Sequence, residues 1–112
     1  MKKIEAIIRH FKLDTVKQAL VDHGFGGMTV SEVKSYGDEV SQKEIYRGSH
    51  YEYDFIPNIK IEVVVGDHQL QTALDALLAA ARMNAASDGD VLVTDIGEAI
   101  RIRTAEHGEV AL

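Results

Sequence analysis

All four tyrosines of the 112-residue chain lie within residues 36–54, among charged side chains of both signs. They are Tyr36, Tyr46, Tyr51 and Tyr53. Gly37 and Gly48 lie in the same stretch and give its backbone freedom to pivot. Amphipathic rings flanked by charges on a loop are typical of a protein-binding surface, so we expect this stretch to contact a partner. The alternative is a solvated β-ribbon whose tyrosines pack only against each other.

The composition gives little support to thiol or metal chemistry. The chain has no cysteine, which excludes disulfides, thiol catalysis and thiolate metal sites. Its five histidines show no ligand spacing such as a helical i, i+4 pair, so we expect no metal. These histidines are His10, His23, His50, His68 and His107.

Net charge and hydropathy restrict the partners and the compartment. Twelve basic and eighteen acidic side chains give a formal charge of -6, which argues against a nucleic-acid partner. The longest mainly apolar stretch, around Leu74 to Ala81, is too short to span a membrane, and no signal-peptide core follows the basic amino terminus Met1–Lys3. We therefore expect a cytoplasmic protein that does not insert into a membrane.

An internal repeat organises the chain. The segment Lys3–Ile8 returns as Lys60–Val65, an offset of 57 residues (60 minus 3), with the same order of charged and apolar side chains. The match continues at this offset, where Leu13, Thr15, Ala19 and Leu20 recur as Leu70, Thr72, Ala76 and Leu77. The chain is therefore predicted to be a doubled unit.

Each repeat changes from the period of a strand to the period of a helix. Apolar residues alternate in the first segments and then recur at three- and four-residue spacing from Leu13 and from Leu70. The predicted N-terminal helix caps are Thr15 with Gln18 in the first repeat and Asp67 in the second. Gly24 is predicted to end the first helix in the left-handed conformation.

A further strand is predicted after each helix, at Met28–Val33 and at Val91–Ile96. Two βαβ units favour an α+β, ferredoxin-like βαββαβ fold in a single domain over residues 1–112. Its four-stranded antiparallel sheet would carry both helices on one face. Apolar Ile7 and Val64 on the other face predict burial against a further subunit in a ring-like homo-oligomer.

The chain resembles the PII signal-transduction family nearly from end to end, in register and without gaps. The matching segments are Met1–Ile8, Phe11–Leu13, Gly27–Val33, Tyr46–Gly48 with Tyr51, and Ile100–Thr104.

The resemblance implies a nitrogen-regulatory homotrimer that is not an enzyme. Proteins of this family bind adenine nucleotides between subunits and sense 2-oxoglutarate together with ATP. They insert a long T-loop, here about Gly37 to Asp54 between strands 2 and 3, into a partner enzyme, regulator or membrane transporter. The resemblance makes Gly37, Tyr46, Arg47, Gly48, Tyr51 and Tyr53 the partner-binding residues. Tyr51 matches the tyrosine that is uridylylated in several bacterial members.

The resemblance also assigns a nucleotide site. Its adenosine-facing positions are Ile7, Gly27, Met28, Thr29, Glu62 and Val64. Its phosphate-facing positions are Gly89, Arg101 and Arg103, since guanidinium groups suit phosphate oxygens. On the residues alone, Arg101 and Arg103 fit solvated strand positions as well.

Other positions depart from the family pattern at the phosphate end. Asp38 replaces the usual Arg, Asn58 and Asp90 replace Lys, Glu39 replaces Gln, and Ser87 replaces Gly. A carboxylate roughly 4 Å from a phosphate charge costs about 4 kcal/mol at an effective dielectric near 20. We therefore expect weak ATP binding, an altered 2-oxoglutarate response, and ADP, AMP or another adenosine derivative as the ligand, unless nucleotide sensing is lost altogether.

Two alternatives to this role remain open from the sequence. A cation held by Asp38, Glu39 and Asp90 would make the protein a metal- or small-ligand-binding trimer without ATP sensing. Arg101 with Asp90 would suit an enzyme only if a nucleophile lay beside them. Within the regulatory role, His50 beside Tyr51 would make a partner contact depend on pH, and His10 replaces a proline that is usual in the family.

Overall fold

The computed structural model describes residues 1–36, 55–85 and 88–112. In chain order the strands and helices are β1 (Lys2–Ile8), α1 (Leu13–Asp22), β2 (Thr29–Ser35), β3 (Ile56–Val65), α2 (Leu70–Ala81) and β4 (Val91–Asp95). Short 3-10 turns lie at His10–Lys12, Asp67–Gln69 and Gly108–Ala111. Of the described helices, none is long and apolar enough to cross a membrane.

The four described strands form an antiparallel sheet in the order β2-β3-β1-β4. Ile4 of β1 lies opposite Val63 of β3 on one side and opposite Val93 of β4 on the other. On the outer side of β3, Thr29 lies opposite Glu62. The predicted ferredoxin-like βαββαβ fold is thereby confirmed.

The core lies between the two helices and one face of the sheet. The alternating apolar residues predicted on β1 and β3 point toward the helices, because successive strand side chains face opposite sides. Burying a side chain such as Leu77 contributes roughly 1.5–3 kcal/mol. The core residues are Ile4, Ala6, Ile8, Val16, Leu20, Phe25, Ile59, Ile61, Val63, Val65, Ala73 and Leu77.

The helix-free face carries charged pairs between its apolar positions. Lys3 Nζ lies 3.0 Å from Glu5 Oε1 and 3.8 Å from Glu62 Oε2, and Lys60 Nζ lies 3.5 Å from Glu62 Oε1. Ile7 and Val64 on this face are half-buried in the single chain. Their burial against another subunit stays a prediction.

The predicted N-terminal helix caps are wrong, whereas the predicted left-handed conformation of Gly24 is confirmed. A 3-10 turn precedes α1, which begins at Leu13 without a side-chain cap from Thr15. Asp67 pairs with the Met1 amino group at 2.8 Å instead of capping α2. Gly24 has a φ of +90°, which ends α1 in the left-handed region.

Two strand boundaries differ slightly from the prediction. β2 continues to Ser35 because its pairing with β3 extends to Ile56. β4 ends at Asp95, although the Ile96 amide still donates to the Met1 carbonyl oxygen at 3.0 Å.

Candidate functional site

Five predicted site residues gather where β2 begins beside β3. They are Gly27, Met28, Thr29, Glu62 and Val64, and we call them the β2–β3 cluster. Thr29 and Glu62 are register partners, so their side chains lie on one face of the sheet. Gly27 and Val64 line a common cavity of about 330 Å³. The sheet ladder therefore fixes this part of the site.

Charges around Glu62 are balanced within the chain. Its carboxylate oxygens lie 3.5 Å from Lys60 Nζ and 3.8 Å from Lys3 Nζ. The hydrogen bond and charge of Glu5 raise the pKa of Lys3, and Lys3 in turn lowers the pKa of Glu5. A ligand at the β2–β3 cluster would thus meet a locally neutral strand surface.

A second group lies on the other side of β1 and consists of Ile7, Gly89 and Asp90, the β1–β4 cluster. The Ile7 amide donates to the Asp90 carbonyl oxygen at 3.0 Å, which extends the β1–β4 ladder. A Cβ atom at position 89 would lie 1.7 Å from the Ile7 carbonyl oxygen. Only glycine fits this close approach of two backbones.

Asp88 organises the connection that leads into the β1–β4 cluster. Its Oδ2 accepts hydrogen bonds from the amides of Met83 at 2.9 Å and Ala85 at 3.3 Å. Asn84 between them has a φ of +55°. The Met83 amide foremost, with those of Ala85 and Asn84, lowers the pKa of Asp88. The sequence analysis missed this residue, although an Asp-Gly pair such as Asp88-Gly89 is a turn signal.

Arg101 lies in a backbone turn near the end of the chain. Its amide donates to the Glu106 carbonyl oxygen at 2.9 Å, and its carbonyl oxygen accepts from the Ala105 amide at 2.7 Å. Arg101 Nη2 donates to the main-chain oxygens of Leu112 at 3.0 Å and Val110 at 3.4 Å. Arg103 is exposed in the same turn. This turn, rather than a solvated strand, holds both arginines.

The two clusters lie on the same face of the sheet but at different levels. Ile7 lies opposite Lys60, so Glu62 and Val64 are two and four residues further along β3. A strand rises about 3.3 Å per residue, so roughly 7 and 13 Å separate the level of Ile7 from those of Glu62 and Val64. The predicted nucleotide residues Ile7, Glu62 and Val64 therefore follow one another along this face.

The positions that depart from the family pattern are only partly described. Asn58 is 6% exposed, and its Nδ2 donates to Ser35 Oγ at 3.0 Å. Its Oδ1 has no hydrogen-bond partner among the described residues. Asp90 is exposed, whereas Asp38, Glu39 and Ser87 lie outside the described residues.

The predicted metal alternative gains no support from the described ranges. Within residues 1–36, 55–85 and 88–112, no group of three or more His, Asp or Glu side chains could hold an ion. Asp38 and Glu39 of the proposed cation set are not among those residues.

The residues predicted to bind a partner, Gly37, Tyr46, Arg47, Gly48, Tyr51 and Tyr53, also lie outside the described part of the chain. The structure does show where their segment joins the sheet. Tyr36 and Phe55 pair there, with ring centroids 5.7 Å apart and planes inclined by 50°. His50 lies in the undescribed segment, and His10 packs edge-on against Phe11 with ring centroids 5.4 Å apart.

The strand order and the helices on one face place the chain in the ferredoxin-like class of α+β folds. The model of the family described as nitrogen regulatory protein P-II matches residues 1–106. The chain belongs to this family.

Curated relatives match over almost all of the chain. A nitrogen regulatory protein P-II of Bradyrhizobium diazoefficiens is 51% identical over 108 residues, which is 96% of each chain. Nitrogen regulatory protein P-II of Rhodobacter capsulatus is 48% identical over 112 residues, and P-II 1 of Escherichia coli strain K12 is 46% identical over 112 residues. The last two matches cover both chains completely.

Proposed function

We propose that this protein is a P-II signal-transduction regulator that controls a partner protein through residues 37–54 and catalyses no reaction of its own. The observation that carries this proposal is the family match over residues 1–106. The strand order β2-β3-β1-β4 adds support, because it is that of the predicted ferredoxin-like fold.

The nucleotide site is proposed to form between neighbouring subunits of a homotrimer. The β1–β4 cluster of one subunit would face the β2–β3 cluster of the next. This arrangement is supported by the half-buried apolar side chains of Ile7 and Val64 on the helix-free face of the sheet. Trimer formation and nucleotide binding are also general properties of the P-II family.

The preferred nucleotide is proposed to carry fewer negative charges than ATP. Asp90 adjoins Gly89 at the predicted phosphate end, and its exposed carboxylate would repel a triphosphate. Asn58 is buried against Ser35 and supplies no positive charge. ADP or AMP would therefore bind more tightly than ATP, and 2-oxoglutarate would strengthen ATP binding little.

Calorimetry on one sample of the purified protein tests this proposal. ATP, ADP and AMP are titrated separately, with magnesium and with or without 2-oxoglutarate, and sedimentation of the same sample gives the subunit number. We expect a trimer that binds ADP or AMP more tightly than ATP. Tight ATP binding that 2-oxoglutarate strengthens would overturn the ligand preference, and a monomer would overturn the shared site.

The partner contact is proposed to involve the tyrosines of residues 37–54, with Tyr51 as the candidate for uridylylation. Mass spectrometry of protein purified from nitrogen-limited cells would detect a uridylyl group on a Tyr51 peptide. The Tyr51→Phe variant, expressed in the same cells, is the matched control and should lack that mass. Uridylylation at Tyr46 or Tyr53 instead would contradict the assignment to Tyr51.

A further inference from the structure

Residues 108–112, the C-terminal segment, lie against the predicted phosphate-binding arginine. Arg101 Nη2 donates to the main-chain oxygens of Leu112 and Val110 at 3.0 and 3.4 Å. The Gly108 amide donates to the Ala99 carbonyl oxygen at 2.9 Å, so the segment is anchored where it begins. The backbone of the segment thus occupies one nitrogen, Nη2, of the guanidinium group.

The same segment reaches the β2–β3 cluster. Glu109 and Leu112 line the cavity of about 330 Å³ together with Gly27 and Val64. Glu109 Oε1 lies 2.7 Å from the point where a Cβ of residue 66 would stand, so Gly66 leaves room for this carboxylate. The C-terminal segment therefore touches both the predicted phosphate end and the predicted adenosine end of the site.

We propose that the C-terminal segment is an internal competitor for anions at Arg101, which an incoming phosphate group must displace. This inference rests on the proposed function, because it concerns the same nucleotide site. It assigns to residues 108–112 a role in setting ligand affinity.

The chemistry of Arg101 favours exchange over permanent attachment. The Val110 oxygen belongs to a neutral carbonyl group, whereas a phosphate offers several charged oxygens, which form stronger hydrogen bonds with guanidinium. Arg101 Nε is buried and has no acceptor among the described residues. A phosphate could accept hydrogen bonds from both Nε and Nη2, whereas the C-terminal segment accepts from Nη2 and leaves Nε without an acceptor.

Displacement should involve little loss of packing. Val110 is 65% exposed and Leu112 is 44% exposed, so few apolar contacts hold the segment down. Displacement must, however, break the two hydrogen bonds between the Arg101 side chain and the segment. Their loss opposes phosphate binding and corresponds to about a fivefold change in phosphate affinity.

The test uses inorganic pyrophosphate and a chain in which residues 109–112 are replaced by Gly-Ser-Gly-Ser. This replacement keeps the length but loses Glu109 and the ordered turn, since glycine disfavours a fixed conformation. The matched control combines Val110→Ala and Leu112→Ala, which keeps Glu109 and does not add glycine. Calorimetry measures pyrophosphate affinity, and nitrogen-15 NMR follows the Arg101 side chain, assigned with Arg101→Lys.

We expect the replacement to bind pyrophosphate about fivefold more tightly than the native chain, with the control close to native. Without ligand, the Arg101 side-chain signal should shift in the replacement and stay near its native position in the control. Equal or weaker pyrophosphate binding by the replacement, or an unshifted Arg101 signal, would overturn the inference.

A separate ADP titration distinguishes this inference from the proposed function. If neither chain bound ADP while the replacement still bound pyrophosphate more tightly, the nucleotide proposal would fail and the competition at Arg101 would stand. If ADP bound but pyrophosphate affinity did not depend on the segment, the competition would fail and the nucleotide proposal would stand.

Discussion

The β2–β3 and β1–β4 clusters belong to the same predicted site but are held in different ways. In the β2–β3 cluster, Thr29 and Glu62 face each other across a regular strand pair. In the β1–β4 cluster, Gly89 lies so close to Ile7 that no side chain fits. Strand pairing thus positions the first cluster, whereas the second depends in addition on the close approach of the Gly89 and Ile7 backbones.

This difference shows where the site tolerates substitution. A strand residue keeps its place through hydrogen bonds made by the whole ladder, so a changed side chain alters chemistry more than position. A residue in a connection depends on a few specific contacts, such as the Asp88 hydrogen bonds. A side chain at position 89 of the β1–β4 cluster should therefore disturb the structure itself.

The largest effect is expected from Gly89→Ala. The new Cβ would lie 1.7 Å from the Ile7 carbonyl oxygen, so the backbone must move. We expect a loss of about 2 kcal/mol or more in the free energy of unfolding, measured in urea at fixed protein concentration.

Gly97→Ala is the matched control for Gly89→Ala, since a Cβ there meets nothing within 4 Å. It should stay within about 0.5 kcal/mol of the native chain. Equal stability of the two variants would remove the proposed contrast between the clusters.

Charge reversal at Asp90 should produce the next largest effect. Asp90→Lys changes the local charge by two units, and each unit is worth about 1 kcal/mol at 4 Å in water before salt screening. We expect ATP affinity to rise about tenfold in calorimetry. Asp75→Lys, on the exposed side of α2, should change ATP affinity little, and a comparable rise there would point to a general charge effect.

Loss of the Asp88 carboxylate should have a smaller effect that depends on pH. Asp88→Asn replaces a charged acceptor for the Met83 amide by a neutral one, at a cost of about 1 kcal/mol at neutral pH. Because folding lowers the pKa of Asp88, its stabilisation is complete above the ordinary value of 3.8 and is lost as the pH falls through the lower folded value.

Urea unfolding from pH 7 down to pH 2 measures this dependence. The stability difference between the native chain and Asp88→Asn should shrink below pH 3.8. Asp75→Asn is the control, since within residues 1–36, 55–85 and 88–112 Asp75 accepts only an exposed side-chain hydrogen bond from Gln71. A difference that stays constant down to pH 2 would contradict the role assigned to the Asp88 carboxylate.

The smallest effect is expected from Gly66→Ala, beside the β2–β3 cluster. Its Cβ would meet Glu109 Oε1 at 2.7 Å and His68 Cε1 at 2.9 Å, but both atoms end mobile side chains that can rotate away. The φ of −68° is ordinary for alanine. We expect the melting temperature to change by only a few degrees, and a loss as large as that of Gly89→Ala would refute the comparison.

The sheet and its helices were predictable because periodicity is a property of the sequence itself. The alternation in Lys3–Ile8 and Lys60–Val65 set the faces of β1 and β3, and the later three- and four-residue spacing set α1 and α2. Strand positions such as Glu62 and Val64 followed from that alternation.

The connections were less predictable because their contacts join residues that no local pattern relates. The pair Asp67 and Met1 spans 66 positions in sequence, and it replaced the expected cap. Arg101 meets Leu112 only because the turn at residues 101–106 reverses the chain. Likewise, residue 89 must be glycine because the Ile7 carbonyl oxygen of β1, which is far away in sequence, lies against its backbone.

The aromatic pair at the root of residues 37–54 has a consequence for evolution. Tyr36 and Phe55 hold the two ends of that segment together, and Asn58 with Ser35 adds a hydrogen bond just inside the sheet. Once the ends are joined, doubling the number of residues between them costs only about 0.6 kcal/mol in closure entropy. A change in the length of this segment should therefore cost the sheet little stability, so that selection on its length would come from the partner and not from the fold.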